Sequence, residues 1–342
     1  MRVTLGEGNT PLVESARIGA KLGLRLFFKM EMCNPSGSYK DRFAAREVSG
    51  FLQDGIRACV ATSSGNTGAA LAAFTARYGI TCAILVNEAA PQGKLQQMLC
   101  HGARVFRVEG FITSPEVTLR VYQRLGKMAA EKFIPLVVSA YRYCPEGMKG
   151  VEAISVELTA QSEGGLDHVF VPVGGGGLFT AVCRGFSSLA GKKPKVHAVQ
   201  PEGCATVVSA FAEQRNEVLP IVSTTRISGL AVPFDIDASI ALEELRNAGG
   251  RGVAISDDEV FAAQKQLLRE EGIWCEPAGA AALAGCVRGR KEGWIAPGET
   301  VACLVTGHGF KDPDSVMRAA HEMRVATIGE QDVDSQLLEV NA

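Results

Sequence analysis

The chain has 342 residues, 46 % of them hydrophobic, 21 % charged and only 6 % aromatic, with a formal net charge of −2. That length suits roughly two domains around a large buried core, and the near-neutral balance excludes the broad basic face that nucleic acid or an anionic membrane surface would need. No apolar run approaches the ~20 residues of a membrane span, and Met1 to Gly6 lead straight into Gly, Asn and Pro without the apolar stretch of a signal peptide.

Short apolar runs alternate with helix-period stretches along nearly the whole chain. Residues 58–62, 81–87, 103–108, 135–139, 168–173, 195–200 and 300–305 read as strands, because they are continuous rather than alternating, as in parallel sheets covered on both faces. Helices are predicted over 67–78, 91–101, 114–132, 146–160 and 257–271, the last opening on the capping-box pattern Ser256-Asp257-Asp258-Glu259. This alternation predicts an α/β fold of open, twisted parallel sheets with right-handed crossovers. Neither a Pro/Ser-rich linker nor an internal repeat divides the chain, so a second domain is expected as an insertion. Residues 46–145 would form a small, closing unit and 1–45 with 146–325 the larger one, followed by an acidic tail over 326–342. Ten cysteines include no Cys-x-x-Cys pair, and Cys59, Cys82 and Cys303 sit inside apolar strands. They are expected to be reduced, mostly buried thiols of a cytoplasmic protein, with no metal site.

Ligands of such folds sit on loops between strand ends and helix starts, and several unusual loops fall there. Asn34-Pro35-Ser36-Gly37-Ser38-Tyr39 delivers Lys40 to the start of a helix. A partly buried lysine at that positive end suits nucleophilic or imine chemistry, the alternative being a surface Lys-Asp-Arg cluster. Ser63, Ser64, Asn66 and Thr67 follow the strand 58–62 and offer a carboxylate cradle, which is more than a helix cap requires. Gly174, Gly175, Gly176 and Gly177 let backbone amides close on a phosphate. Their spacing fails the dinucleotide G-x-G-x-x-G pattern and no Gly-Lys-Ser/Thr follows, so a phosphate monoester on a small cofactor fits better. Thr306-Gly307-His308-Gly309 ends the last strand with a neutral hydroxyl, and Glu276, within Trp274-Cys275-Glu276-Pro277, reads on its own as a helix cap or a solvated turn.

Taken in order, these motifs resemble the fold-type II pyridoxal-phosphate (PLP) enzymes, tryptophan synthase β-like in fold, and within them the threonine synthases. The resemblance rests on Gly6-Glu7-Gly8-Asn9-Thr10-Pro11-Leu12, on Asn34 to Arg42, on Ser63 to Thr67 and on Thr306 to Pro313, and it runs from residue 6 to about 314. It implies two parallel-sheet domains with the cofactor in the cleft between them, and a homodimer. Lys40 would hold the cofactor as an imine and shuttle protons, Asn66 would meet its ring oxygen, Gly174 to Gly177 its phosphate, and Thr306 its ring nitrogen. A neutral partner at that nitrogen steers chemistry toward elimination and replacement. Ser63, Ser64 and Thr67 would receive the carboxylate of a small amino-acid substrate.

The sequence departs from the threonine synthases where substrate identity is decided. It has four glycines in the phosphate loop, as serine/threonine dehydratases do, and its nearest arginine to Glu146-Gly147 is Arg142, four residues ahead of the glutamate. Ser228 to Val232 and Glu276 to Gly279 are also dehydratase-like. The leading expectation is the conversion of O-phospho-L-homoserine to threonine and phosphate, with Arg142 and Lys149 as cations for the phosphorylated substrate and Lys311 as a further discriminator. β-Elimination or β-replacement on serine, phosphoserine or threonine is the alternative. A non-catalytic PLP-binding homologue is the third reading, and the retained Lys40 argues against it.

Overall fold

The computed structural model describes residues 3–88, 90, 92–112, 114–132, 134–321, 325 and 327–335, so residues 326 and 336–342 of the expected acidic tail lie outside the described residues. The chain opens with β1 (Leu12–Glu14), α1 (Ile18–Leu22) and β2 (Arg25–Lys29), then passes through a 3-10 turn at Glu31–Cys33 into α2 (Lys40–Gln53). A strict alternation follows: β3 (Ala58–Ala61), α3 (Asn66–Arg77), β4 (Thr81–Asn87), α4 (Gln92–Cys100), β5 (Arg104–Val108), α5 (Pro115–Lys132) and β6 (Leu136–Val137). Next come α6 (Pro145–Gln161), β7 (His168–Pro172), α7 (Gly177–Ser187), β8 (Lys195–Pro201), α8 (Thr206–Ala212) and α9 (Ala238–Asn247). The chain continues through β9 (Gly252–Ile255), α10 (Asp257–Glu271), α11 (Pro277–Lys291), β10 (Thr300–Leu304) and α12 (Pro313–His321).

The strands form two sheets. One is six-stranded in the order β1-β2-β10-β7-β8-β9, parallel except for β1 against β2, and the other is four-stranded and all parallel in the order β5-β4-β3-β6. The four-stranded sheet comes from one continuous stretch, 58–137, between β2 and β7. The fold is thus α/β with two largely parallel sheets, and each strand expected from an apolar run is present. β1, β2 and β9 were not legible as strands. In β2 only Leu26-Phe27-Phe28 is apolar, between Arg25 and Lys29, and β9 is a four-residue run starting on glycine. Helix α10 begins with the expected capping box, Ser256 and Glu259 satisfying each other's backbone N–H. All ten cysteines are free and eight are buried, Cys33 and Cys100 being exposed. None of the described helices is long and apolar enough to cross a membrane.

Helices α2 and α6 pack between the sheets, burying Phe43, Val48, Met148, Val151 and Ile154 in one apolar cluster that reaches residues of both. They approach so closely that a Cβ at Gly150 would run into the Arg42 carbonyl, so only glycine fits there. Across this contact lies a buried ionic cluster. Arg42 on α2 makes paired hydrogen bonds to Glu31 (2.7 and 2.8 Å) and to Glu157 on α6 (2.6 and 2.7 Å). Lys29 on β2 adds bonds to Glu157 (2.6 Å), to Gln161 (2.8 Å) and to the Thr10 carbonyl (2.7 Å). The Thr10 hydroxyl and Asn34 complete Glu31 (2.7 and 3.0 Å). Two cations thus meet two carboxylates, and each polar atom's demand is met locally, which is what makes buried charge tolerable.

Burial works against an ionised Glu157, but the hydrogen bonds from Arg42 and Lys29 outweigh it and carry the carboxyl from the usual 4.5 down to about 2. A carboxyl depressed in the folded state stabilises above its unfolded value and loses that contribution as pH falls toward the folded one. Stability should therefore decline between about pH 4.5 and 2. Arg42→Ala, which strands two carboxylates, should cost about 3–5 kcal/mol in urea unfolding at neutral pH and flatten that acid dependence. An Arg42→Ala protein as stable as the parent would show the cluster to be energetically idle.

Candidate active site

A cleft of about 710 Å³ opens where the C-terminal ends of β3, β6, β7 and β10 face one another across the start of α2. Lys40, Ser63, Ser64, Asn66, Thr67, Gly174, Gly175, Gly176, Gly177 and Thr306 all line it. The parallel topology explains the convergence: each of these strands ends on the same side, and its loop rises into a helix start.

Lys40 is the first residue of α2 and is half-buried. The turn that delivers it is strapped to the turn after β10. Tyr39 N donates to the Thr306 carbonyl (3.1 Å), His308 N donates to the Gly37 carbonyl (2.9 Å), and Ser38 pairs with Gly307. Gly37, at φ +93, makes the tight bend possible. The Lys40 ammonium donates to Ser139 Oγ at 2.5 Å and sits 4.7 Å from the centre of the Tyr39 ring. Ser139 in turn shares a hydrogen bond of 2.9 Å with Thr67 Oγ1. Beside it Asp41 is fully buried. Its Oδ2 accepts the Ser36 N–H (2.8 Å), while burial raises the carboxyl to about 6.

The glycine run crosses from β7 into α7. Gly176 takes φ +99, and a Cβ on it would lie 2.6 Å from the Asp237 carbonyl, while Asp237 N donates to the Gly175 carbonyl at 2.9 Å. Backbone amides therefore approach the cleft at the start of an eleven-residue helix with no side chain in the way. Thr306 is buried at the end of β10. Asn66 stands at the start of α3, and its Nδ2 donates to Glu276 Oε1 at 2.9 Å. Glu276 is thus neither a capping side chain nor a solvated one: it is 8 % exposed and lines the cleft.

Two expected residues lie elsewhere. Arg142 does not line the cleft; it pairs with Asp235 (2.9 Å) and donates to the Ser239 hydroxyl. The cause is Asp237, which accepts the backbone N–H groups of Tyr141 (2.6 Å) and Arg142 (3.2 Å) and ties that turn to the segment before α9. Lys149, also outside the cleft lining, is exposed on α6 against Glu146 at 2.5 Å. Among the described residues, the cations that do line the cleft are Lys40, Arg226 and Lys311. Arg226 is exposed and engaged with Asp258 (2.8 Å). Lys311 is more enclosed and donates to Gln97 Oε1 (2.6 Å). Burial lowers its amine pKa against the opposing pull of Glu276 and Asp41. Ser139 escaped the sequence reading because Val138-Ser139-Ala140 carries no motif; its place just after a parallel strand was the available signal.

The model of the family described as "Pyridoxal-phosphate dependent enzyme" matches residues 3–307. Threonine synthase of Methanocaldococcus jannaschii is 34 % identical over 329 residues, covering 94 % of this chain and 79 % of the relative. That of Mycobacterium tuberculosis is 34 % identical over 322 residues, 92 % and 85 % of the two chains. Among solved structures, maize serine racemase superposes with a TM-score of 0.79 at 24 % identity, covering 92 % of each chain. The processed threonine deaminase isoform 2 of Solanum lycopersicum gives 0.78 at 21 %, covering 92 % of this chain and 83 % of the other. The structural likenesses speak to the fold.

The cleft suits the cofactor of that family. Gly174–Gly177 make a cradle that a Cβ at Gly176 would disturb, suited to a phosphate, and an amine, a buried hydroxyl and an amide line the same cleft. Borohydride reduction of the protein with pyridoxal phosphate should fix the cofactor on Lys40, and Lys40→Ala should lower activity by orders of magnitude. Peptide mapping that puts the label on Lys149 or Lys311 instead would overturn the assignment.

Proposed function

The chain belongs to the family of pyridoxal-phosphate-dependent enzymes and is threonine-synthase-like, and from that premise we propose that it converts O-phospho-L-homoserine to L-threonine and phosphate by elimination and water addition. The near-full-length likeness to threonine synthases carries this reading. Bound pyridoxal phosphate supplies an electron sink for charge developing on the substrate carbons. Lys40 carries the cofactor and, when its amine is free, moves protons at Cα and beyond, with Ser139 as that amine's hydrogen-bond partner. Gly174–Gly177 hold the phosphate at the start of α7, Asn66 meets the ring oxygen, and Thr306 the ring nitrogen. Ser63, Ser64 and Thr67 receive the substrate carboxylate beside the start of α3. Residues 46–145 act as the closing unit over 1–45 and 146–325, excluding water from the cleft. A homodimer in the cytoplasm completes the reading.

A phosphorylated substrate brings a dianion that costs several kcal/mol if left unpaired in a partly dry cleft. Since Arg142 and Lys149 are ion-paired elsewhere, that partner is Lys311, the more enclosed cation of the cleft lining. The same displacement of Arg142, with the four-glycine loop, favours a second reading: β-elimination or β-replacement on serine, phosphoserine or threonine, in which a free hydroxyl needs no such cation. One comparison separates the two. On the first reading, Lys311→Met raises KM for O-phospho-L-homoserine about tenfold or more, the worth of a charge-assisted hydrogen bond. It also lowers kcat, because charge on the departing phosphate grows in the transition state. Arg142→Ala stays within about twofold, as befits an exposed ion pair. Ammonia release from serine or threonine, no phosphate release from O-phospho-L-homoserine and a silent Lys311→Met would establish the second reading.

A further inference from the structure

Glu276 has no part in the roles above, yet its surroundings define one. It occupies the N-terminal boundary of α11 without capping it, and its carboxylate instead reaches across the cleft to Asn66 on the first turn of α3. Backbone contacts hold the carboxylate end: Glu276 N donates to the Gly307 carbonyl at 3.0 Å, and Cys275 pairs with His308. Gly307 keeps the route open, since a Cβ there would intrude on Glu276 Oε1 and lie 3.2 Å from Asn66 Nδ2. Asn66, on the side of the four-stranded sheet, is thereby joined to the loops of the six-stranded sheet beside Thr306.

An ionised carboxylate accepts hydrogen bonds and donates none, whereas an amide can present either end. The contact therefore has one polarity, with the NH2 group of Asn66 turned to Glu276. We infer that Glu276 is a positioning residue: it fixes the Asn66 amide so that its second N–H, not its carbonyl, meets the ring oxygen of pyridoxal phosphate. The inference rests on the reading of Asn66 as a ring contact. A donor at the ring oxygen favours its deprotonated, yellow form, and a carbonyl there would repel it.

Glu276→Gln keeps the size but both donates and accepts, so the polarity is lost. It should lower the ratio of the yellow band to the near-ultraviolet band several-fold. By fluorescence titration it should weaken the affinity of the cofactor-free protein for pyridoxal phosphate roughly tenfold. Asn66→Ala should shift the spectrum likewise, and adding Glu276→Gln to Asn66→Ala should change nothing more. Should Glu276→Gln fail to fold, Gly307→Ala, which wedges a methyl group between the pair, is read in its place with the same shift expected. A normal spectrum for Asn66→Ala overturns the ring-contact reading. An effective Asn66→Ala with a silent Glu276→Gln or Gly307→Ala, or effects that simply add, overturns the positioning role alone.

Discussion

Arg42 is held by two carboxylates at once, Glu31 from the 3-10 turn and Glu157 from α6, and that grip anchors the first turn of α2, on which Lys40 stands. Lys40 and Arg42 share the first turn of α2, so fixing the guanidinium fixes the helix end that carries the amine. The same carboxylates bind the opening segment: Asn9 N donates to Glu157 (2.8 Å), and Gly8 N donates to Asn34, which bonds Glu31. Paired forks of donors and acceptors add a directional match between α2 and α6 to their close backbone approach at Gly150.

Around that anchor the cleft follows from parallel topology. Strand ends deliver short loops, and the helices they enter supply unpaired N–H groups at their first turns. The starts of α2, α3 and α7 all border the cleft, so the site is electropositive through its backbone before any side chain contributes. Glu276 and Asp41 are the acids set into this field, both buried. Burial raises the Asp41 carboxyl toward neutrality, and Glu276 is engaged with Asn66.

Much of this was legible in the residues. Runs such as 81–87 and 168–173 read as strands and are strands, β7 buried throughout and β4 alternating buried with less buried residues, and the glycine loop, the Ser63–Thr67 loop and the Lys40 turn all stand where strand ends place them. The illegible parts share a cause, which is that a charge's partner is set by tertiary contacts. Lys29 stands at the end of a strand without any motif to mark it, and it is fully buried because Glu157 and Gln161 on α6 meet its amine. Arg142 looked like a cleft cation from its distance to Glu146-Gly147, but Asp237, some ninety residues later, turns its backbone toward Asp235. Glu276 read on its own as a cap or a solvated turn, and only the folded chain brings Asn66 to it.

The two sheets differ in how much chain they need. The four-stranded sheet closes within 58–137, whereas the six-stranded sheet places β10 between β2 and β7, with Thr300 opposite Arg25. During synthesis the small sheet can assemble from residues already outside the ribosome, while the large one waits with an open seam until its last strand arrives. Thr306 and the strap on the Lys40 turn come only after that strand. The nascent chain thus cannot complete the cleft lining until its last strand is in place.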